Sequence, residues 1–217
     1  MKPMTKLMLV FSIFFYSLPI CANEITLNEI ISKMEESEKR IESVQFEFTQ
    51  EISYTITGEK QSNSGEAIYQ KPDCLYMKHK NPLEQVIISN GKKVWIYTPS
   101  YNQVLVDNWK KWTSSSMVPA SMINFGQNLN DLKKKYTFNY AGREDNKYVL
   151  LLVPQKKEQW QLKLWIEPES FIPSRASLSG ENITITTQTR NFKVNPKLDK
   201  GMFNFQAPKG VDVLNLP

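Results

Sequence analysis

The sequence predicts a mainly β protein, an antiparallel sandwich or barrel introduced by one amphipathic helix. Three observations predict it. Apolar residues occupy alternate positions from Val44 to Ile56 (Val44, Phe46, Phe48, Ile52, Tyr54, Ile56), broken only by Gln50. Short strand-like segments then recur at regular spacing with turn residues between them. A single long stretch carries helical periodicity, and it opens with a capping box. Successive strand side chains point to opposite faces, so the first pattern is one strand with an apolar and a polar face. At about 3.3 Å per residue it spans roughly 40 Å, twice an ordinary strand.

The N-terminus reads as an address. Lys2 and Lys6 precede an apolar run from Leu7 to Ile20, and Ala22 offers a small residue for cleavage. That order is a secretory signal peptide over residues 1–22, leaving one domain over 23–217. Cys21 raises the question of lipidation, but Ile20 stands where a lipobox needs a small residue. No later segment approaches the roughly 18 apolar residues of a membrane-spanning helix.

Thr26 and Glu29 form the capping box, each satisfying a free backbone N–H of the first turn. Leu27, Ile30, Ile31, Met34 and Ile41 follow at helical spacing, which predicts a helix over 27–42. Its other face carries Lys33, Glu35, Glu36, Lys39 and Arg40, and Glu35, Glu36 and Glu38 read as solvated. The long strand follows without a linker. Strands are then expected over 65–71, 74–79, 83–89, 93–98 and 103–108, with Asn90-Gly91 as the hairpin turn between the fourth and fifth. Four more lie at 136–141, 147–153, 171–178 and 182–191, besides the alternation through Trp160, Leu162, Leu164 and Ile166. The total is about 11 strands. Between Trp109 and Asn130 the alternation stops. Pro119 opens a short helix presenting Met122, Ile123 and Phe125, and 129–135 reads as a second helical turn. Short helices inserted between strands suit either a lid or a connector packed on the core.

Composition excludes more chemistry than it suggests. His79 is the single histidine and Cys74 the single cysteine after the leader, so no His/Cys metal cluster, cofactor cradle or internal disulfide is expected. There is no Gly-x-Ser-x-Gly elbow and no glycine-rich phosphate loop. A carboxylate pair remains the one catalytic option that sequence leaves open. The formal charge of +5 is carried mostly by scattered lysines, with arginine only at Arg40, Arg143, Arg175 and Arg190. Solvated faces explain that better than a nucleic-acid partner does. The expectation is a binding or carrier module and not an enzyme.

The order of signals resembles the LolA family of outer-membrane lipoprotein carriers. The residues that carry the likeness are Phe46-Glu47-Phe48-Thr49-Gln50, then Gly65 to Tyr69-Gln70-Lys71-Pro72, then Ile87 through Asn90-Gly91-Lys92-Lys93 to Tyr97. Phe203-Asn204-Phe205, Pro208 and Gly210-Val211-Asp212-Val213 complete it. The resemblance implies a half-open antiparallel barrel of about 11 strands, closed by the N-terminal helix and short mid-chain helices over an apolar cavity. It implies a periplasmic chaperone that shields the acyl chains of lipoproteins released by an inner-membrane ABC complex (LolCDE-like) and hands them to an outer-membrane receptor (LolB-like). A monomer without cofactor suffices for that.

Lys71 falls on the basic residue before proline that acts in the family as a latch to lid-loop carbonyls; lysine lacks arginine's planar fork. Leu75 and Met77 fall at cavity-lining positions of the family. Ile52 and Tyr54 on the long strand, and Met122, Ile123 and Phe125 in the lid, complete the expected lipid-binding set, with Met77, Met117 and Met122 as soft, repackable side chains. Trp95 and Tyr97 face opposite to Val94 and Ile96; alternation alone does not say which pair looks inward, and Trp95 and Tyr97 are taken as the lining pair. Three alternatives share the length or the fold: a lipid-anchored LolB-like receptor, an RseB-like stress regulator, and a hydrolase of unknown substrate.

Overall fold

A computed structural model describes residues 24–114, 129–155, 160–199 and 201–216. The leader read over 1–22 and the lid positions Met117, Met122, Ile123 and Phe125 lie outside the described residues. Helix α1 (Leu27–Arg40) leads into β1 (Ser43–Tyr54), β2 (Lys60–Gln70), β3 (Cys74–Asn81), β4 (Gln85–Asn90), β5 (Lys93–Thr98) and β6 (Gln103–Asn108). Two short helices, α2 (Trp109–Ser114) and α3 (Leu129–Lys135), precede β7 (Tyr136–Glu144), β8 (Lys147–Pro154), β9 (Gln161–Ile166), β10 (Pro173–Ser179) and β11 (Ile183–Val194). A last strand, β12 (Asp212–Asn215), ends the chain. One twelve-stranded sheet runs in the order β12-β6-β5-β4-β3-β2-β1-β11-β10-β9-β8-β7. It is antiparallel except at β12, which lies parallel to β6. Its two ends, β12 and β7, do not pair with each other, so the barrel is half open.

The capping box forms as the residue types require. The Thr26 hydroxyl accepts from the Glu29 N–H at 3.3 Å, and the Glu29 carboxylate accepts from the Thr26 N–H at 2.7 Å. Arg40 ends the helix because Ile41 is already extended, two residues short of the sequence expectation. The Asn195 carboxamide fixes the corner that follows. It accepts from the N–H groups of Glu42 and Ser43 and donates to the Arg40 carbonyl at 2.8 Å. Helix and strand therefore meet at a defined angle.

On β1 the even-numbered residues face inward, and register carries that face across the sheet. Phe46 stands opposite Ala67, Phe48 opposite Gly65, and Ala67 opposite Met77, which pairs in turn with Ile87. Gln50, the residue that breaks the sequence pattern, stays on the same face and is only 2% exposed. Beyond Tyr54 the chain turns, with the Gly58 N–H on the Tyr54 carbonyl, so the strand stops before Ile56.

Two apolar clusters fill the inner face. One joins Ile30 and Met34 of α1 and Leu129 and Leu132 of α3 to Leu150, Leu152, Leu162, Leu164 and Ile166. The other joins Val44, Phe46, Phe48, Met77, Ile87 and Val94 to Trp109 of α2. The outer face of β5 and β6 is apolar as well, and the C-terminal segment covers it. Val104 and Val106 are buried there, and the Phe205 ring lies 6.3 Å from that of Trp95 and 6.0 Å from that of Tyr97.

Three sequence expectations need correction. The strands number twelve and not eleven, because four residues near the C-terminus add to β6 in parallel. The β4–β5 turn is centred on Gly91-Lys92, one residue later than Asn90-Gly91. Gly91 takes the left-handed conformation (φ +83°), while the Asn90 side chain accepts from the N–H groups of Lys92 and Lys93, both at 3.0 Å. The third concerns Trp95 and Tyr97, which pair on the outer face with Ile88 and Val86. Val94 and Ile96 are the inward pair.

Gly65 is where the sheet is tightest. A Cβ there would sit 2.3 Å from the Lys78 carbonyl oxygen and 2.7 Å from the Phe48 ring. Gly65→Ala is expected to destabilise the fold by about 2 kcal/mol, the cost of overpacking against backbone, measured as a lower urea midpoint at unchanged slope.

Candidate functional site

The seam between the two apolar clusters is not filled. A cavity of about 80 Å³ lies there, walled by Met34, Leu129, Leu132 and Leu164 on one side and by Ile41, Tyr69 and Phe192 on the other. At roughly 10–15 Å³ per water-sized position it holds about eight at most, half the carbons of a ~16-carbon acyl chain. The cavity as it stands is too small to take such a chain whole.

Besides Ser37, two charged residues stand among these apolar walls. The Lys71 ammonium donates to the Glu38 carbonyl at 2.8 Å, tying the end of β2 to the last turn of α1. The same residue reaches the other way with its side chain, where the Glu38 carboxylate accepts from the Leu129 N–H at 3.0 Å. One α1 residue thus joins three elements. Glu35 adds an ion pair to Lys133 of α3, with both groups about a third exposed. A pair so exposed contributes about 0–1 kcal/mol, whereas each hydrogen bond to a charged group contributes about 1.5–3 kcal/mol. The sequence reading of Glu35 and Glu38 as merely solvated is replaced by this joint.

Helix α3 depends on that joint. Seven residues are too few for a helix that is stable on its own. It is held by Leu129 and Leu132, each about 5% exposed, and by the Glu38 carboxylate at its first N–H. Helix α1 is fastened more firmly. Besides the Asn195 corner, the Ser37 hydroxyl donates to the Ser170 carbonyl at 2.6 Å and the Lys33 ammonium lies 4.9 Å from the Phe171 ring. Of the two covers, α3 is the one easier to lift.

Three titratable groups of β2 and β3 are held in their neutral forms. Burial, then the Asp73 charge, pushes the Tyr69 phenol up to about 12, and its hydroxyl donates to the Pro72 carbonyl. The same two causes raise the Cys74 thiol, which keeps it a poor nucleophile. Burial lowers the His79 imidazole, so it is neutral near pH 7. No group of three or more His, Cys, Asp or Glu side chains suited to a metal ion occurs among the described residues.

The expected site residues divide by position. Leu75 and Met77 lie in the inner cluster beside Val94 and Ile96, and Lys71 lies on the cavity. Ile52 and Tyr54 share the inner face but stand past Gln50, toward the far end of β1. Trp95 and Tyr97 are on the opposite face, under Phe205. Glu38, Phe192 and the stacked rings of Trp109 and Trp112 (5.4 Å between centroids) belong to the inner side and escaped the sequence reading. Only the loss of alternation after Asn108 hinted at the tryptophans.

A family model described as outer membrane lipoprotein carrier protein LolA matches residues 39–206. The chain belongs to the LolA family. An outer-membrane lipoprotein carrier protein of Francisella tularensis subsp. tularensis is 24% identical over 214 residues, covering 98% of each chain. An uncharacterized protein of Methanocaldococcus jannaschii is 22% identical over 214 residues, and this chain spans 59% of that relative's length. The crystal structure of an uncharacterized conserved protein from Thermus thermophilus is 13% identical, covers 87% of this chain and 98% of its own, and superposes with a TM-score of 0.54. The last likeness is one of fold. In this LolA-family chain, β2 and α3 both bond to α1 through the one residue Glu38.

Glu38→Ala removes the acceptor at the first turn of α3 and is expected to cost about 1 kcal/mol. Amide exchange over residues 129–135 should speed up while the core strands β8 and β9 keep their protection.

Proposed function

We propose that the protein is a periplasmic carrier that binds the acyl chains of lipoproteins and passes them between membranes, without chemistry on the cargo. The observation that carries this reading is the apolar inner face, covered by a short helix that is fastened through a polar joint. The family supports it.

The magnitudes favour exchange of cover for cargo. Lifting α3 exposes Leu129 and Leu132, at about 1.5–3 kcal/mol each, and breaks the Glu38 hydrogen bond and the partly exposed Glu35–Lys133 ion pair. A ~16-carbon chain gains about 12 kcal/mol on full burial. Lipid therefore outcompetes the helix, yet the helix recovers part of that energy on release, which keeps the exchange reversible. Met77 and Met34 suit a wall that must pack against either occupant. Lys71 acts as the latch, through the Glu38 carbonyl of α1. Leu75, Met77, Val94 and Ile96 form the lipid-facing wall. An inner-membrane ABC releasing complex would supply the cargo and an outer-membrane receptor would take it. The leader read over 1–22 is consistent with export, and one domain working as a monomer suffices.

The test compares the two faces of β5. With a diacylated lipopeptide as probe, Ile96→Ala and Leu75→Ala should each weaken binding about tenfold, as expected for one to two buried CH₂ groups. Tyr97→Ala should leave affinity within about twofold. Equal losses on both faces, or no binding by the unaltered protein, would overturn the reading.

A further inference from the structure

We infer that a belt of polar side chains across the inner face sets how deep an acyl chain can go, and so makes the carrier selective for chain length. The inference rests on the carrier reading and adds to it a specificity that the family assignment does not contain.

The belt has one member on each of six neighbouring strands. In sheet order they are Thr187 on β11, Gln50 on β1, Asn63 on β2, His79 on β3, Gln85 on β4 and Thr98 on β5. Register sets them in two rows: Gln50 stands opposite both Thr187 and Asn63, while His79, opposite Gln85, pairs with Gly65 and so lies one step nearer the cavity, level with Phe48. Hydrogen bonds link three members of the first row and two of the second. The Gln50 amide donates to the Thr187 hydroxyl at 3.1 Å, Asn63 donates to the Gln50 carbonyl oxygen at 3.2 Å, and Gln85 donates to the Thr98 hydroxyl at 3.2 Å. Gln61 continues the line by donating to Asn63 at 3.1 Å. His79 meets the edge of Phe48, the last apolar residue before the belt, at 5.4 Å between ring centroids. Gln50 and Thr187 are each 2% exposed, so these are built-in core positions and not surface residues.

On the cavity side of this line β1 and β3 are apolar, through Val44, Phe46 and Phe48 and through Leu75 and Met77. Hydrocarbon laid over that side replaces apolar contacts with apolar contacts. Laid over the belt, it takes water from the half-buried carboxamides of Asn63 and Gln85, leaving their spare N–H groups and lone pairs unpaired, a cost no added methylene recovers. Chain that passes the belt is therefore better left in solvent. The other half of the inner face offers no detour, because Ile30 and Met34 of α1 already fill it.

The belt also converts into a length. From Val44, opposite the cavity-lining Tyr69, to Gln50 is six residues, or about 20 Å at roughly 3.4 Å per residue. An extended hydrocarbon advances about 1.25 Å per carbon, from a ~1.5 Å bond and a ~111° angle. About sixteen carbons fill the distance. Ile52 and Tyr54, though apolar and on the same face, lie beyond the limit and are not lipid contacts.

The experiment measures binding of diacylated lipopeptides carrying chains of 12, 14, 16, 18 and 20 carbons, by competition at equilibrium. Affinity should rise about fourfold per CH₂ up to about sixteen carbons and change less than about twofold from sixteen to twenty. The triple variant Gln50→Leu, Asn63→Leu, Thr187→Val removes the linked group together, so that no partner is left orphaned. Its affinity should go on rising, at least tenfold between sixteen and twenty carbons. The single variant Thr187→Val, nearly isosteric, should show a smaller gain in the same range and guards against misfolding of the triple. Affinity that climbs steadily to twenty carbons in the unaltered protein would overturn the belt and leave the carrier reading intact. So would a plateau that the folded variants do not move. Absence of binding at every length would overturn both.

Discussion

A sheet of twelve strands with an apolar inner face must bury that face, and this one does not close on itself to do so. Its end strands β7 and β12 are far apart in the sheet order, so the covering has to come from helices. Helix α1 supplies part of it and is fastened at the Asn195 corner and at Ser37. Trp109 of α2 and Leu129 and Leu132 of α3 add to it, and α3, at seven residues, lacks the length to be stable alone. It is held to α1 by Glu38, whose carbonyl takes Lys71 and whose carboxylate takes the first N–H of α3, and by the Glu35–Lys133 ion pair.

That arrangement explains why the closed cavity is small. A large permanent void lined by leucine and phenylalanine would cost stability in proportion to its volume. Keeping about 80 Å³ at the seam, and filling the rest with Leu129 and Leu132, avoids most of that cost. The sheet itself is tightly packed, with Phe48 pressed against Gly65 and no room for a side chain between them.

Much of this was legible in the amino-acid order. Thr26 and Glu29 announced the helix start because their chemistry is local, and the alternation from Val44 exposed the inner face of β1. The residues that misled did so for non-local reasons. Gln50 read as a break because its partners, Thr187 and Asn63, sit on neighbouring strands and only register reveals them. Trp95 and Tyr97 are taken as lining without a local signal, since alternation does not say which pair looks inward, and the C-terminal Phe205 gives the outer face its own apolar cover. Glu38 looked like a solvated helix acid, and its partner in α3 lies 91 residues away. Alternation divides a strand into two faces; what covers each face is decided elsewhere in the chain.

The central claim is that α3 and its joint give way to acyl chain while the sheet stays as it is. The most direct test places one spin label on α3 at Lys134 and another on the outer face of β1 at Thr49, and measures their separation by pulsed electron resonance with and without a saturating diacylated lipopeptide. The account predicts a single short distance in the free protein and a longer or broader distribution with lipid, while a control pair within β1 and β11 is unchanged. A distribution for α3 that stays the same at saturation would contradict it.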